Sequence, residues 1–287
     1  EQEIITGLFS RDCILPCRFP PGVDEVIYWK KGDRNVHSYY YKGDQLEMQH
    51  PAYKGRTHLF HQEISNGNAS LKLSNLTVTD EGLYSCYVGT QQGKTEVEAT
   101  LHVRVSSLCA LEYQKTDTER TLMCYAFRTY PEPHISWIQG NLPIQETHRL
   151  EMRDGVLYSL RSDQSIITTS DPYYCYINLT HDKVLQLSVS DQLPHKEGHS
   201  TAIPCEFSNN TANTEDFSVV WTLNRNAVVS VLATFNGTFH SYYPRVHINH
   251  SDFSLVLRDL RAEDSGEYVC NISTHHYTKL TVRPLQV

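Results

Sequence analysis

No stretch of this 287-residue chain reaches the roughly 18 consecutive apolar residues that a membrane-spanning helix needs. Nor does any C-x-x-C pair occur, which removes zinc-ribbon spacing. There is no G-x-S-x-G, P-loop or G-x-G-x-x-G, so the usual devices for activating a nucleophile or cradling phosphate are missing. Positive charge is in deficit, with 25 Lys and Arg against 33 Asp and Glu and a net charge of −8. A nucleic-acid partner would need a dense cationic footprint, and none is present. The 15 histidines do not assemble a pattern. His275-His276 and the separated His58 and His61 lack H-E-x-x-H or a carboxylate at ligand spacing, and read as exposed polar residues on loops and strands. These absences argue against an enzyme, a metal site, a cofactor and a small-molecule substrate.

What the chain does contain is a repeat. TVTDEGLYSCYVG carries D-x-G-x-Y-x-C at Asp80, Gly82, Tyr84 and Cys86, and the pattern returns at Asp264, Gly266, Tyr268 and Cys270. A looser copy, SDPYYC, ends at Cys175. This is the turn into strand F of an immunoglobulin sandwich, where a Tyr two residues before the second cysteine bonds back to the corner backbone. Three copies imply an all-β chain of three tandem immunoglobulin-like sandwiches. Eight cysteines and seven N-x-S/T sequons, at Asn68, Asn75, Asn178, Asn209, Asn236, Asn249 and Asn271, point to the secretory pathway and to disulfides.

Spacing assigns the domain types. In domain one, residues 1–104, Cys17 and Cys86 lie 69 residues apart around Trp29, which leaves room for two extra strands and makes the domain variable-type. Its last strand alternates Val97, Ala99, Leu101 and Val103 with Glu96, Glu98, Thr100 and His102. Domain two, residues 105–190, has Cys124 and Cys175 only 51 apart around Trp137, and is constant-type. FRTYPEPHISW suggests a cis bond at Tyr130-Pro131 by likeness to antibody constant domains. Domain three, residues 191–287, has Cys205 and Cys270 separated by 65 around Trp221, again variable-type. Each bridge restricts the unfolded chain by roughly 4 kcal/mol in the chain-entropy model. Arg56 is expected to pair with Asp80 and Arg245 with Asp264, against the alternative of solvated arginines. Cys13 and Cys109 remain, and a bridge between them at the junction of domains one and two is expected, the alternative being two separate thiols.

A sandwich binds by its loops or by a sheet face. With Trp29 and Cys86 inward, parity turns Tyr28 and Lys30 outward on one strand and Ser85, Tyr87 and Gly89 outward on another, with Ser38 and Tyr40 on the next strand. Tyr supplies contact area at low entropic cost, so this front sheet of domain one is the expected receptor site. Asn68 and Asn75 fall on the opposite sheet, whereas Asn271 takes the place of Tyr87 in domain three and Asn178 follows Cys175 in domain two. Only domain one is expected to present a bare front sheet.

The segments LPCRF, VIYWKKGDRNVHSYYYKGDQLEMQHPAYKGRTHLF and NGNASLKLSNLTVTDEGLYSCYVGT resemble the first domain of the B-seven family of T-cell costimulatory and coinhibitory ligands, and the likeness extends through SDFSLVLRDLRAEDSGEYVCNIS in domain three. The resemblance implies the extracellular side of a type I membrane protein whose membrane segment lies outside these residues. It also implies a partner of immunoglobulin type, a CD-twenty-eight-group receptor or a killer-cell immunoglobulin-like receptor, docked front sheet to front sheet. A nectin-like homophilic adhesion molecule and a butyrophilin-like or decoy protein are the competing expectations.

Overall fold

The computed structural model describes residues 3–167, 170–179, 182–190, 192–206, 216–274 and 277–287, with Leu193 by its backbone alone. The sequon at Asn209 and the pair His275-His276 lie outside the described residues. The chain divides into two compact units, Glu1–Ser106 and Ser107–Val287.

Unit one is built from strands β1 (Glu3–Leu8), β2 (Cys13–Leu15), β3 (Val26–Lys31), β4 (Arg34–Tyr40), β5 (Gly43–Asp44), β6 (Thr57–Leu59), β7 (Leu71–Leu73), β8 (Gly82–Thr90) and β9 (Gly93–Arg104). Its larger sheet runs β1-β9-β8-β3-β4-β5 and its smaller one β2-β7-β6. The short apolar alternation of each strand supplies the inward face, and Leu15, Ile27, Trp29, Leu71, Leu73, Tyr84 and Leu101 are sealed in the core. Cys17 and Cys86 are bridged between the sheets. The Trp29 indole N–H donates to the Ala69 carbonyl at 2.9 Å, so the buried ring leaves no polar atom unpaired. The Tyr84 hydroxyl donates to the Asp80 carbonyl at 2.7 Å, which closes the corner that the repeated motif predicts. The Asp80 carboxylate accepts two bonds from the Arg56 guanidinium and one from the Thr77 backbone N–H.

Unit two comprises β10 (Leu108–Lys115), β11 (Arg120–Thr129), β12 (His134–Gln139), β13 (Leu142–Ile144), β14 (His148–Asp154), β15 (Leu157–Ser165), β16 (Tyr173–Asn178), β17 (Lys183–Val189), β18 (Leu193–Pro194), β19 (Thr201–Ile203), β20 (Ser218–Arg225), β21 (Val228–Phe235), β22 (Phe239–Ser241), β23 (Val246–Ile248), β24 (Leu255–Leu257), β25 (Gly266–Ser273) and β26 (Tyr277–Gln286). It contains two disulfide-centred cores. Cys124–Cys175 lies against Trp137, whose N–H donates to Ser162 Oγ at 2.8 Å. Cys205–Cys270 lies against Trp221, whose N–H donates to the Phe253 carbonyl at 2.9 Å. The Tyr130-Pro131 bond is cis. Arg245 grips Asp264 through both terminal nitrogens, at 2.9 and 3.0 Å, and the Tyr268 hydroxyl donates to the Asp264 carbonyl at 2.7 Å.

The two cores of unit two do not stay separate. Strand β17 runs parallel to β26, with Val184 opposite Tyr277 and Val189 opposite Val282. One ten-stranded sheet results, running β13-β12-β16-β17-β26-β25-β20-β21-β22 with β18 also on β26. Val269, Leu280 and Val282, from the last two strands, are buried in the core built around Cys124 and Cys175. Beside them Glu267 is enclosed, accepting from the Tyr113 hydroxyl at 2.7 Å, Arg120 at 2.8 Å and Lys115 at 3.2 Å. Burial, followed by the Glu267 charge, pushes the Tyr113 hydroxyl well above its ordinary pKa.

The expected Cys13–Cys109 bridge is not formed, and both thiols are free. Strand alternation explains it. Cys13 pairs with Leu73 and turns into the core of unit one, where it is 8% exposed. Cys109 pairs with Ala126 and is packed against the first core of unit two. Burial raises the pKa of each thiol, which disfavours the reactive thiolate.

Candidate recognition surface

The larger sheet of unit one is positioned by its hydrogen-bond register, and the register defines rows across it. Glu96 stands opposite Tyr87, Tyr87 opposite Tyr28, and Tyr28 opposite Ser38. Glu98, Ser85 and Lys30 form the next row, and Lys94, Gly89 and Val26 the one on the other side. Directly paired residues share a face, so these side chains point together, away from Trp29 and Cys86. Tyr28, Tyr40, Ser85, Tyr87 and Gly89 are partly exposed and Lys30 is exposed.

Ser38 departs from its expected role. It lies on the correct face, opposite Tyr28, but is only 4% exposed. Its hydroxyl accepts from Asn35 Nδ2 at 2.8 Å, and its short side chain sits low beside the larger tyrosines. At that exposure Ser38 offers a partner little area, and its expected contact is reduced to a support for the neighbouring tyrosines.

The tyrosines form a chain of rings. Tyr87 and Tyr28 have centroids 6.3 Å apart, Tyr28 and Tyr40 6.1 Å, and Tyr40 and Tyr41 5.3 Å in an edge-on arrangement. Tyr41 occupies the two-residue turn between β4 and β5, where Tyr41 and Lys42 have φ of 53° and 58°. Two successive positive φ values mark the hairpin turn that usually takes Asn and Gly. A bulky residue is disfavoured at such a φ, and the turn places Tyr41 in solvent, 91% exposed, at the end of the row.

The base of this hairpin is braced by polar contacts. His37, buried opposite Trp29, has Nε2 2.7 Å from Asp44 Oδ1, and His61 Nε2 reaches the same oxygen at 3.1 Å. Gln49 Nε2 donates to Thr57 Oγ1 at 2.7 Å, and the same hydroxyl lies 2.8 Å from His37 Nδ1. Because an ionised Asp44 carboxylate only accepts, its bond to His37 requires a proton on Nε2. Burial raises the Asp44 pKa, but the bonds from His37 and His61 outweigh it and hold the carboxyl below its ordinary value.

Sequence parity overlooked several members of this face. Glu96 and Glu98 are visible in the alternation of the last strand, Tyr41 in the YYYKG turn, and Val26 in the parity of its strand, two residues before Tyr28, with its pairing to Gly89 agreeing. The sequons at Asn68 and Asn75 fall beside the smaller sheet. Asn68 bridges to Arg18, and Asn75 follows β7 with its side chain exposed. On unit two, Asn178 and Asn236 are exposed and Asn249 and Asn271 partly so.

A two-sheet sandwich bridged by Cys17 and Cys86 around a buried Trp29 is an immunoglobulin-type domain. The sequence matches the immunoglobulin V-set domain family over residues 5–106 and 189–285. Over its whole length it is 36% identical to human HERV-H LTR-associating protein 2, covering 72% of that protein. It is 32% identical over 60% of its length to a CD276 antigen homolog of Xenopus laevis, covering 61% of it. It is 33% identical over 46% of its length to the V-set domain-containing T-cell activation inhibitor 1 of Rattus norvegicus, covering 48% of it. The chain therefore belongs to the immunoglobulin V-set family, among the B-seven group of immune-regulatory proteins, a non-enzymatic class. It spans less than two thirds of the frog and rat relatives. Among solved structures, a chain in the complex of ICOS with ICOS-L and an anti ICOS-L VNAR domain has a TM-score of 0.50 at 23% identity, covering 65% of this chain and 99% of that one, a likeness of fold. Among the described residues no helix is long and apolar enough to cross a membrane.

Proposed function

We propose that this chain is the extracellular region of a cell-surface ligand, of type I topology, that regulates T-cell and natural-killer-cell activation by binding an immunoglobulin-type receptor through the front sheet of unit one. In this reading residues 1–104, 105–190 and 191–287 are its variable, constant and variable domains, and the recognition domain is the first of them. The observation that carries the assignment is the open ring row Tyr87, Tyr28, Tyr40 and Tyr41, on a face where Ser85, Glu96 and Glu98 stand in place of the buried Val269, Leu280 and Val282 of unit two. Relatives named for inhibiting T-cell activation support the class of the partner. A receptor of the CD-twenty-eight group or a killer-cell immunoglobulin-like receptor fits that class.

The test is binding of the chain, displayed multivalently to compensate for weak single contacts, to cells that each display one such receptor. Binding that is lost in the Tyr28→Ala/Tyr87→Ala double variant, with unit one still folded, supports the assignment. Binding that survives the double variant moves the site elsewhere. Binding only to cells that display this same chain would instead make it a homophilic adhesion molecule.

A further inference from the structure

At the hairpin end of the front sheet the tyrosine row borders a recess of about 520 Å³, lined by Asp24, Glu25, Val26, Tyr28, Tyr40, Tyr41 and Lys42. That is within the roughly 300–1,000 Å³ of sites that take small ligands or single anchoring side chains. Two acidic residues and three tyrosines share this lining with one lysine. The Asp24 carboxylate is set in place by Gln91, whose Nε2 donates to Oδ2 at 2.5 Å. Glu25 is half-buried and takes part in no ion pair among the described residues. Its field is felt nearby: burial, then the Glu25 and Asp44 charges, push the Tyr39 hydroxyl above its ordinary pKa. Lys42 belongs to the same lining but is exposed to solvent and forms no ion pair with either acid among the described residues.

Resting on the front-sheet reading above, we propose that this recess receives an arginine side chain of the partner. A guanidinium is planar and weakly hydrated, stacks on tyrosine faces and donates in a fork to carboxylates, so both kinds of wall are used at once. A lysine ammonium would match the carboxylates but could not stack, and an apolar side chain would leave the half-buried Glu25 desolvated without a partner. The net charge of −8 favours approach of a basic surface.

The probe is acetyl-arginine amide, titrated into the full chain and followed by the aromatic proton resonances of Tyr28, Tyr40 and Tyr41, each assigned with a Tyr→Phe variant. Acetyl-citrulline amide, nearly the same shape without the charge, is the control. The expected result is saturable shifts of these rings with arginine and none with citrulline, weakened about tenfold in Asp24→Asn/Glu25→Gln. Equal effects of the two amides, no effect of either, or shifts confined to other tyrosines would overturn the assignment, and none of these depends on the variant folding. Because no receptor is used, the two readings fail separately. If Tyr28→Ala/Tyr87→Ala abolishes receptor binding while arginine leaves the rings unmoved, the sheet remains the site and the arginine assignment falls. If arginine binds here but the receptor ignores the double variant, the recess holds a cation and the receptor site lies elsewhere.

Discussion

Leu83 and Glu267 stand at the same distance before their disulfide cysteines, yet Leu83 is 44% exposed and Glu267 only 3%. The comparison extends along both strands. Opposite Cys86 and its neighbours unit one places Tyr28, Ser85, Tyr87, Glu96 and Glu98 on its outer face. The matching positions of unit two hold Val220, Val269, Asn271, Leu280 and Val282. Three of these, Val269, Leu280 and Val282, are buried in the neighbouring core. The sheet edge differs as well. In unit two β17 hydrogen-bonds to Tyr277–Val282, whereas in unit one, among the described residues, β1 pairs with Ala99–Arg104 and leaves the outer edge of Gly93–Glu98 open. The open stretch carries Lys94, Glu96 and Glu98, charges that discourage a second strand from joining it. One fold thus yields a free face and a sealed one, and a few side chains decide which.

The largest effect should come from writing the outer face of unit one into unit two. Leu280→Glu/Val282→Glu drives two charges into an apolar seam, and unit two should lose several kcal/mol of stability. Limited proteolysis and thermal unfolding would register the opening, and unchanged protection would refute the seam. Glu267→Ala should cost about 3 kcal/mol, because Arg120 and Lys115 are left facing each other over a buried gap. Leu83→Ala, at the same position of unit one, should stay within about 1 kcal/mol because its side chain is already wet. Denaturant midpoints of the two variants give the contrast directly.

A smaller effect is expected from acid. Burial would raise Asp264, but hydrogen bonds from Arg245 and the Arg261 backbone N–H hold its pKa below the ordinary carboxylate value. A folded pKa that is depressed means the pair stabilises unit two fully above the unfolded value of about 4 and loses that contribution as pH falls through the folded value. Arg245→Met should therefore lower the denaturant midpoint at neutral pH, and the gap to the parent should narrow below about pH 4. A gap independent of pH would show that Arg245 acts by packing alone. The smallest stability change, within about 0.5 kcal/mol, should follow the converse graft, Glu96→Leu/Glu98→Val in unit one. Its consequence should be self-association of a newly apolar face, seen as concentration-dependent sedimentation.

Much of this was legible before any coordinates. The Asp-Gly-Tyr-Cys repeat fixes where Tyr84 and Tyr268 close their corners, and cysteine spacing with an intervening Trp names the three bridges. The pairs Arg56–Asp80 and Arg245–Asp264 are found where the motif puts them. Parity alone carried Tyr28 and Tyr87 to one face. It failed for Ser38, because alternation reports direction and not depth, and a small side chain among large ones is covered. It failed for Cys13 and Cys109, because an unpaired count of two suggests a bridge while each thiol is turned into a separate core. The apolar run of Val269, Leu280 and Val282 was present as a signal, but the assumption of independent domains gave no reason to read outward positions as buried.

The sequence by itself determined the local devices: sandwich strands with their alternation, disulfides, tyrosine corners and the arginine clasps, all of which depend on residues at short or regular spacing. Tertiary structure decided which outer faces remain in water. That choice depends on whether a strand far away in the chain, here β17, finds a complementary apolar edge, and on whether a carboxylate such as Glu267 meets Arg120, Lys115 and Tyr113 when it is desolvated. Such pairings are set by shape and charge brought together from far apart in the chain, 147 residues in the case of Arg120 and Glu267, which no local pattern encodes.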